Sequence, residues 1–506
     1  MSIMPETNRI FSPRGLPAAS GVEALRQARA QARNLVEVFR GRAALTPEQM
    51  AFTFLADDES PAAHVTYGGL DERARAIAAH LQQQCRPRDR VLLMYGPGLE
   101  YIAALAGCLY AGVVAVPVYP PDPLRVARTL PRLAAIVRDA QARAILGTAT
   151  DLAWAGAMLG DLPGLESLIA TDEIAAARQR DWREPELDRN SLAILQYTSG
   201  STGEPKGVMI QHGNALQNLA QMEAAIDIED AVVATWLPAY HDMGLFGGIL
   251  QCWYSGRRNI MMSPLAFFQR PLRWLQAISD HRATTAGAPN FAYDLCVRKT
   301  TPDERRGLDL SCWRLALSGA EPVRPETMER FLAAFAVCGV RSDIFKPCYG
   351  LAESTLMVAS TPTNAPAQVR AFDADRLSAG EAVAADEDTP STLRLASCGQ
   401  GVCGQDLLIV DPQSLTELPA GRSGEIWVAG LHVAAGYWKQ PDATARTFNA
   451  RTSTGRGPFL RTGDVGFIHD GELFISGRLK EMIIVQGRNH YPADLEQTAE
   501  ASHDAV

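Results

Sequence analysis

Apolar positions along this chain alternate between two patterns. Short uninterrupted runs, RVLLMYG from residue 90, VVAVPVY from 113, ARAILGT from 142 and SLAILQYT from 191, have the length and β-branched character of buried strands. Between them the spacing turns helical. Residues 22–40 (VEALRQARAQARNLVEVFR) place Arg on a wet side, and 65–84 predict a strand followed by a helix. Strands alternating with helices imply parallel sheets with helices on their faces, an α/β fold.

One stretch imitates a membrane span. YIAALAGCLYAGVVAVPVYPP, residues 101–121, is uncharged over about the length that crosses a bilayer. It is rich in Ala and Gly, breaks at Ala111-Gly112 and ends in prolines, so it reads as a buried helix leading into a buried strand, with no stable membrane insertion. The amino terminus MSIMPETNRIFSPRG has no apolar secretion-signal core. A cytoplasmic location is the expectation.

After Thr361 the pattern changes. Residues 359–394 are rich in Pro, Ala, Ser, Thr and acids with little periodicity, and read as a surface insertion. Short strands separated by glycine turns follow (DLLIVD, GEIWVAG, GELFISG), and the final EMIIVQGRNHYPADLEQTAEASHDAV reads as a strand and a helix that have only begun. The expected organisation is a large N-terminal domain, 1–479, followed by a hinge and the start of a small C-terminal α+β domain at 480–506. The large domain divides into α/β subdomains at about 20–200 and 201–394, with the insertion at 359–394, and a β-rich subdomain at 395–479. A chain of 506 residues is too long for one ordinary domain.

Charge and cysteine usage narrow the partners. A net charge of -9 and a pI of about 5.6 leave no electrostatic footprint for nucleic acid or an anionic membrane. Nine cysteines make no C-x-x-C pair, and no His cluster accompanies Cys398 and Cys403. Reduced thiols are therefore expected in place of a zinc site.

Candidate chemistry begins at YTSGSTGEPKG, residues 197–207. Glycines admit close backbone approach, and successive amides make a nest for phosphate oxygens. The nucleotide P-loop G-x-x-x-x-G-K-[ST] does not fit, because Lys206 follows Pro205. SLAILQYT and GVMIQ (207–211) read as strands, so the glycines join two strands where a P-loop caps a helix. The hydroxyls of Thr198, Ser199, Ser201 and Thr202 and the amides of Gly200 and Gly203 can wrap a polyphosphate beside the Lys206 charge. A ligand-free hairpin is the alternative.

Four further stretches carry candidate groups. LALSGAEPV (315–323) runs a strand into the small turn Gly319-Ala320-Glu321. In KPCYGLAEST (346–355), the ring of Tyr349, followed by Gly350, suits a purine, and Glu353 suits Mg²⁺ beside phosphates; a core Tyr and a solvated Glu are the plainer readings. In FLRTGDVGFI (459–468), Asp464 in a glycine turn could accept from two ribose hydroxyls or serve the turn alone. GRLKEMI (477–483) places Arg478 and Lys480 at a boundary.

These five stretches, in this order, resemble the signature motifs of the adenylate-forming superfamily of acyl-CoA synthetases, peptide-synthetase adenylation domains, luciferases and fatty acyl-AMP ligases. The resemblance covers almost the whole chain. TWLPAYHDMGLFGGIL (235–250), GAPNFAYDLC (287–296) and GEIWVAGLHVAAGYW (424–438) look most like fatty acyl-AMP ligases, whose insertion also falls after YGLAE. Where peptide synthetases anchor a substrate amine with Asp, this chain reads AYHDMGL.

The resemblance implies activation of a fatty acid by ATP with Mg²⁺, giving acyl-AMP and pyrophosphate, and transfer to the phosphopantetheine arm of an acyl carrier protein. It implies that residues 198–203 and Lys206 grip phosphates, that Glu353 places the metal, and that Tyr349, Gly350 and residues 319–321 hold adenine. Asp464 would fix the ribose, backed by Arg478, and Lys480 would be the hinge. An acyl tunnel is expected along Trp236, Tyr240, Met243, Gly244 and Phe246 and along Asn290, Phe291 and Tyr293, with His241 near the carboxylate. The family's late catalytic lysine has no counterpart, since no Lys follows Lys480. The expectation is a truncated form or one piece of a longer synthase, with weak or no activity. The alternatives are a long-chain acyl-CoA synthetase and a non-catalytic acyl-adenylate-binding module.

Overall fold

The computed structural model describes residues 29–57, 60–121, 126–153, 164–198, 205–226, 230–386, 389, 391–481, 483–485 and 488–490. Strands are numbered along the chain: β1 Met50–Phe54, β2 Ala63–Thr66, β3 Arg90–Met94, β4 Val114–Val118, β5 Ala142–Gly147, β6 Ser167–Ala170, β7 Leu192–Thr198, β8 Lys206–Gln211, β9 Val232–Thr235, β10 Arg258–Met261, β11 Thr285–Ala288 and β12 Leu315–Ser318. They continue as β13 Phe345–Gly350, β14 Met357–Ser360, β15 Val369–Asp373, β16 Thr392–Ala396, β17 Gln400–Gly401, β18 Gln405–Val410, β19 Gly424–Gly430, β20 Leu460–His469, β21 Glu472–Arg478, β22 Ile483–Val485 and β23 Arg488–His490.

Two large sheets and one small one hold most of these strands, and β15-β16 and β22-β23 form two further two-stranded sheets. A six-stranded sheet runs β6-β5-β3-β4-β7-β8, parallel except for the β7–β8 hairpin. A nine-stranded sheet runs β17-β14-β13-β12-β11-β9-β10-β1-β2, parallel through its middle. The third is the antiparallel meander β18-β19-β20-β21. The mixed α/β architecture and the β-rich unit agree with the sequence reading.

The membrane-like stretch resolves as a helix, Leu99–Ala111, followed by β4. Its small residues have a packing purpose: a Cβ on Gly107 would lie 2.5 Å from Ile77 Cγ2, so glycine lets this helix touch the helix Tyr67–Gln84. Among the described residues no helix is long and apolar enough to cross a membrane.

Two organisational expectations are corrected. β1 and β2 precede residue 200 yet pair with β10 of the nine-stranded sheet, and β8 lies after 200 in the six-stranded sheet, because pairing crosses the presumed boundary. The helix read across 22–40 is interrupted: Asn34 caps a new helix, Leu35–Leu45, by accepting from Glu37 N. The segment 359–394, expected as an insertion, carries strands of its own. It begins inside β14 and continues as the β15–β16 hairpin, where Phe372 packs edge-on to Phe467 and Phe474 of the meander. Arg394, one register along the same ladder, pairs with Glu329 on the helix Pro325–Phe335. Long-range contacts of this kind leave no local periodicity to read. The helix expected at the end falls within 491–506, outside the described residues.

Two buried histidines set an acid limit on stability. Burial pushes the pKa values of His212 and His432 from 6.5 down to about 4, and neither ring nitrogen of His432 has a partner. The unfolded chain takes up protons below pH 6.5 that the folded chain refuses, so their stability contribution is whole above 6.5 and is lost as pH falls towards 4. Each should cost roughly 2 kcal/mol between pH 7 and 5. The melting temperature should therefore fall over this interval, and His432→Gln should flatten the profile; an unchanged slope would refute the assignment for His432.

Candidate active site

β7 and β8 pair antiparallel with Thr198 opposite Lys206, so the two flanks of YTSGSTGEPKG are neighbouring strands, as their pattern predicts. Ser199, Gly200, Ser201, Thr202 and Gly203 lie outside the described residues. Thr198 and Lys206 mark the two ends of the loop, and both line a cavity of about 620 Å³. The cavity sits where carboxyl ends of parallel strands meet the meander, the usual place for ligands in open α/β sheets.

Its polar end draws on several elements. Lys206 Nζ lies 5.0 Å from the centre of the Tyr437 ring, and Tyr437 Oη donates to Glu353 Oε1 at 2.7 Å. Glu353 is carried by a single 3-10 turn, Ala352–Ser354, that follows β13. Burial raises its pKa, with the Tyr437 hydrogen bond opposing the shift. Glu353 is thus a partly buried, tethered carboxylate, not a solvated one.

Asp464 is the second anchor. It is 5% exposed, accepts from Tyr349 Oη at 2.6 Å through Oδ2 and from Arg478 Nε at 2.9 Å through Oδ1. The expected glycine turn is corrected: Asp464 lies within β20, directly opposite Arg478 on β21, and only the preceding Gly463 takes a positive φ. Burial raises the Asp464 pKa, and Arg478 opposes it. Each carboxylate oxygen still has a lone pair for a ligand hydroxyl. Three motifs far apart in sequence, YGLAE, RTGD and GRLKE, thereby converge on one carboxylate.

Other predicted residues divide. Ala320, in the left-handed region at φ 67°, lines the cavity, as do Gly350 and Lys480. Gly319 backs onto Cys348, and the Glu321 side chain accepts from Phe291 N at 2.6 Å; neither is among the described lining residues. His241 lines the cavity half-exposed, with Nδ1 2.7 Å from Asp242 Oδ1, and this contact raises its pKa.

The acyl-lining expectation needs the largest correction. Of its eight residues, Met243 lines the cavity. Trp236 stacks on Phe267 at 3.9 Å, Tyr293 sits among Trp274, Trp313 and Phe331, and Phe246 is wholly buried in the larger core. Asn290 accepts from Arg324 N, Phe291 stacks on Phe268, Tyr240 meets Tyr119 edge-on, and Gly244 presses on Pro238. The apolar part of the cavity wall goes to smaller groups instead. Leu237, Gly247, Gly248, Leu317, Leu356 and Met357 form it, with Met222 of the helix His212–Ala225 and Ile226, the residue that caps that helix.

Sequence reasoning missed Tyr437, Asp242, Glu425 and Arg461 as lining residues. Tyr437 and Glu425 stand inside GEIWVAGLHVAAGYW and Asp242 inside AYHDMGL, so the motif was visible while the side chain's direction was not.

Fold and cavity together define an α/β protein with a ligand site that is charged at one end and apolar at the other. The sequence pattern of AMP-binding enzymes matches residues 39–438. The chain is 45% identical over 482 residues to the medium-chain-fatty-acid–[acyl-carrier-protein] ligase JamA of Moorena producens, covering 93% of this chain and 81% of that protein. It is 38% identical to the long-chain-fatty-acid–AMP ligase FadD26 of Mycobacterium marinum, over 92% of this chain and 82% of the other. A crystal structure of a fatty acyl-adenylate ligase from L. pneumophila in complex with acyl adenylate and pyrophosphate superposes with a TM-score of 0.85 at 41% identity, covering 93% of this chain and 82% of that one. The chain belongs to the AMP-binding enzyme family, as a fatty acyl-AMP ligase.

Proposed function

We propose that this chain takes a fatty acid and ATP to acyl-AMP and pyrophosphate, for transfer to the phosphopantetheine thiol of an acyl carrier protein. The observation that carries the reading is a single cavity whose polar end, Lys206, Glu353 and Asp464, is continuous with an apolar wall. A carboxylate has a poor leaving group; attack of its oxygen on the α-phosphorus forms a new P–O bond, and pyrophosphate leaves with the electrons of the bond that breaks. Such chemistry rests on positioning and on neutralising charge.

In this reading Lys206 and the loop from Thr198 hold the phosphates, Ala320 and Tyr349 border the base, and Asp464 accepts from the ribose hydroxyls. Arg478 keeps the Asp464 carboxylate oriented. His241 and Asp242, at the start of the helical turn Met243–Leu250, face the point where the polar and apolar ends meet. Glu353 fits Mg²⁺, which commonly takes one or two carboxylates and completes its shell with phosphates and water; when bound it neutralises the phosphate charge. Raised by burial, the Glu353 carboxylate is poised to gain from a cation. The free cysteines of the described residues suit a cytoplasmic setting.

A non-hydrolysable acyl-sulfamoyl-adenosine tests the site without requiring turnover. It should bind at least ~100-fold tighter than either the fatty acid or adenosine alone, since linkage makes the second contact intramolecular. Binding no tighter than adenosine would refute a joint acyl and nucleotide site. Transfer of the acyl group from a preformed acyl-AMP to a carrier, and not to coenzyme A, separates this reading from an acyl-CoA synthetase.

A further inference from the structure

Glu425 is buried, charged and unexplained by the chemistry assigned so far. It is 2% exposed on β19, between strands of apolar neighbours. Its Oε2 accepts from Trp427 Nε1 at 2.9 Å and from Arg461 Nε at 2.9 Å and Nη2 at 2.7 Å. Its Oε1 accepts from the backbone amide of Gly463 at 3.2 Å.

This arrangement sits on an irregularity of the sheet. Glu425 pairs with Val465 and Trp427 with Arg461, so one residue of β19 faces three of β20, and Thr462, Gly463 and Asp464 bulge from the ladder. Gly463 takes φ 73° within the bulge, and its carbonyl accepts from Leu479 N at 2.9 Å, beside Lys480. Thr462 Oγ1 donates to Ile426 O at 2.8 Å and accepts from Asp464 N at 3.1 Å. Glu425, Arg461, Thr462, Gly463 and Asp464 all line the cavity.

A buried ion pair is weak evidence for stability, because a well-packed apolar pair of similar volume serves as well. A bulge is different: its unpaired backbone amide needs an acceptor, and a carboxylate fixed by a second partner supplies one in a defined place. Arg461 and Trp427 hold Oε2, leaving Oε1 for the one amide that precedes Asp464.

We propose that Glu425 is a positioning residue for the nucleoside end of the site: clamped by Arg461 and Trp427, it holds the Thr462–Asp464 bulge so that the Asp464 carboxylate meets the ribose hydroxyls. This rests on the assignment of Asp464 to the ribose. Glu425 acts only through Asp464, so its removal should matter only for nucleotides that possess those hydroxyls.

The experiment measures dissociation constants of ATP and 2′,3′-dideoxy-ATP for the wild type, Glu425→Gln and Asp464→Asn, with melting curves as a folding check. Glu425→Gln should weaken ATP roughly tenfold, the size of one charge-assisted hydrogen bond, and leave the dideoxy nucleotide unchanged. Should Glu425→Gln not fold, Trp427→Phe, which removes one donor and keeps an aromatic ring, should give the same selectivity at smaller size. Equal weakening of both nucleotides, or of neither, while Asp464→Asn still closes the gap between them, overturns the proposal. If Asp464→Asn leaves the gap intact, the ribose assignment itself fails and takes the proposal with it.

Discussion

Gly350→Ala should abolish the native fold of the site and cost more than ~4 kcal/mol, the range reserved for severe steric or cavity defects. A Cβ at this position would lie 1.9 Å from Leu356 O, 2.7 Å from its carbonyl carbon and 3.1 Å from Met357 Cα. All three are backbone atoms, so no rotamer relieves the overlap. The cause is the fold-back between β13 and β14: the ladder slips between Tyr349 and Gly350, and Leu351 N donates to Leu356 O at 2.9 Å, closing a tight excursion that carries Glu353. Opening the excursion to admit a methyl group would displace both Glu353 and Tyr349. A melting temperature and soluble yield equal to wild type would show that the excursion is not so constrained.

Asp464→Asn should weaken nucleotide binding by about two orders of magnitude while leaving the free protein as stable or more so. The amide keeps one acceptor oxygen for Tyr349 Oη but cannot accept from two ribose hydroxyls, and two charge-assisted bonds at about 1.5 kcal/mol each give roughly a hundredfold. The stability sign runs the other way. Burial raises the carboxyl pKa, so at pH 7 the ionised form is held at a cost in the folded state, and removing the charge relieves that cost. Arg478, the partner left behind, has a side chain 62% exposed and is solvated without Asp464. Titration calorimetry with ATP and a thermal melt together check both signs; unchanged affinity would remove Asp464 from the ribose.

Opposite signs at one residue express how this site is made. Glu353 and Asp464 both carry carboxylates that burial disfavours; the Tyr437 hydrogen bond opposes this at Glu353, and at Asp464 the Arg478 charge opposes it first, with the Tyr349 hydrogen bond beside it. A charge held this way is available for ligand groups that water would otherwise satisfy. The same logic extends to Glu425, where Arg461 fixes the charge and the bulge amide takes the remaining oxygen.

Much of the site was legible in the residues themselves. Thr198, Lys206, Ala320, Tyr349, Glu353, Asp464 and Arg478 stand in motifs that the family resemblance picks out, and all seven line the cavity. Glycine, hydroxyl and carboxylate in fixed order is local information, because a backbone turn and the group it presents are neighbours in sequence. So is alternation of apolar runs, and the strands at 90, 114, 142 and 192 follow it.

Tertiary structure alone decided which strands join which sheet and which apolar residues face the ligand. β1 and β2 cross into the nine-stranded sheet because β10, some 200 residues later in the chain, offers the parallel edge. Trp236 and Tyr293 stand in stretches adjoining the cavity, yet their rings go to the core, where they interlock with Phe267, Trp274 and Phe331, and Phe246 is buried in the other large core cluster. The sequence by itself determined the chemical groups and the local turns that present them. Which groups meet, as Tyr349 meets Asp464 across 115 residues of chain, is settled by packing, whose terms depend on neighbours no local pattern contains.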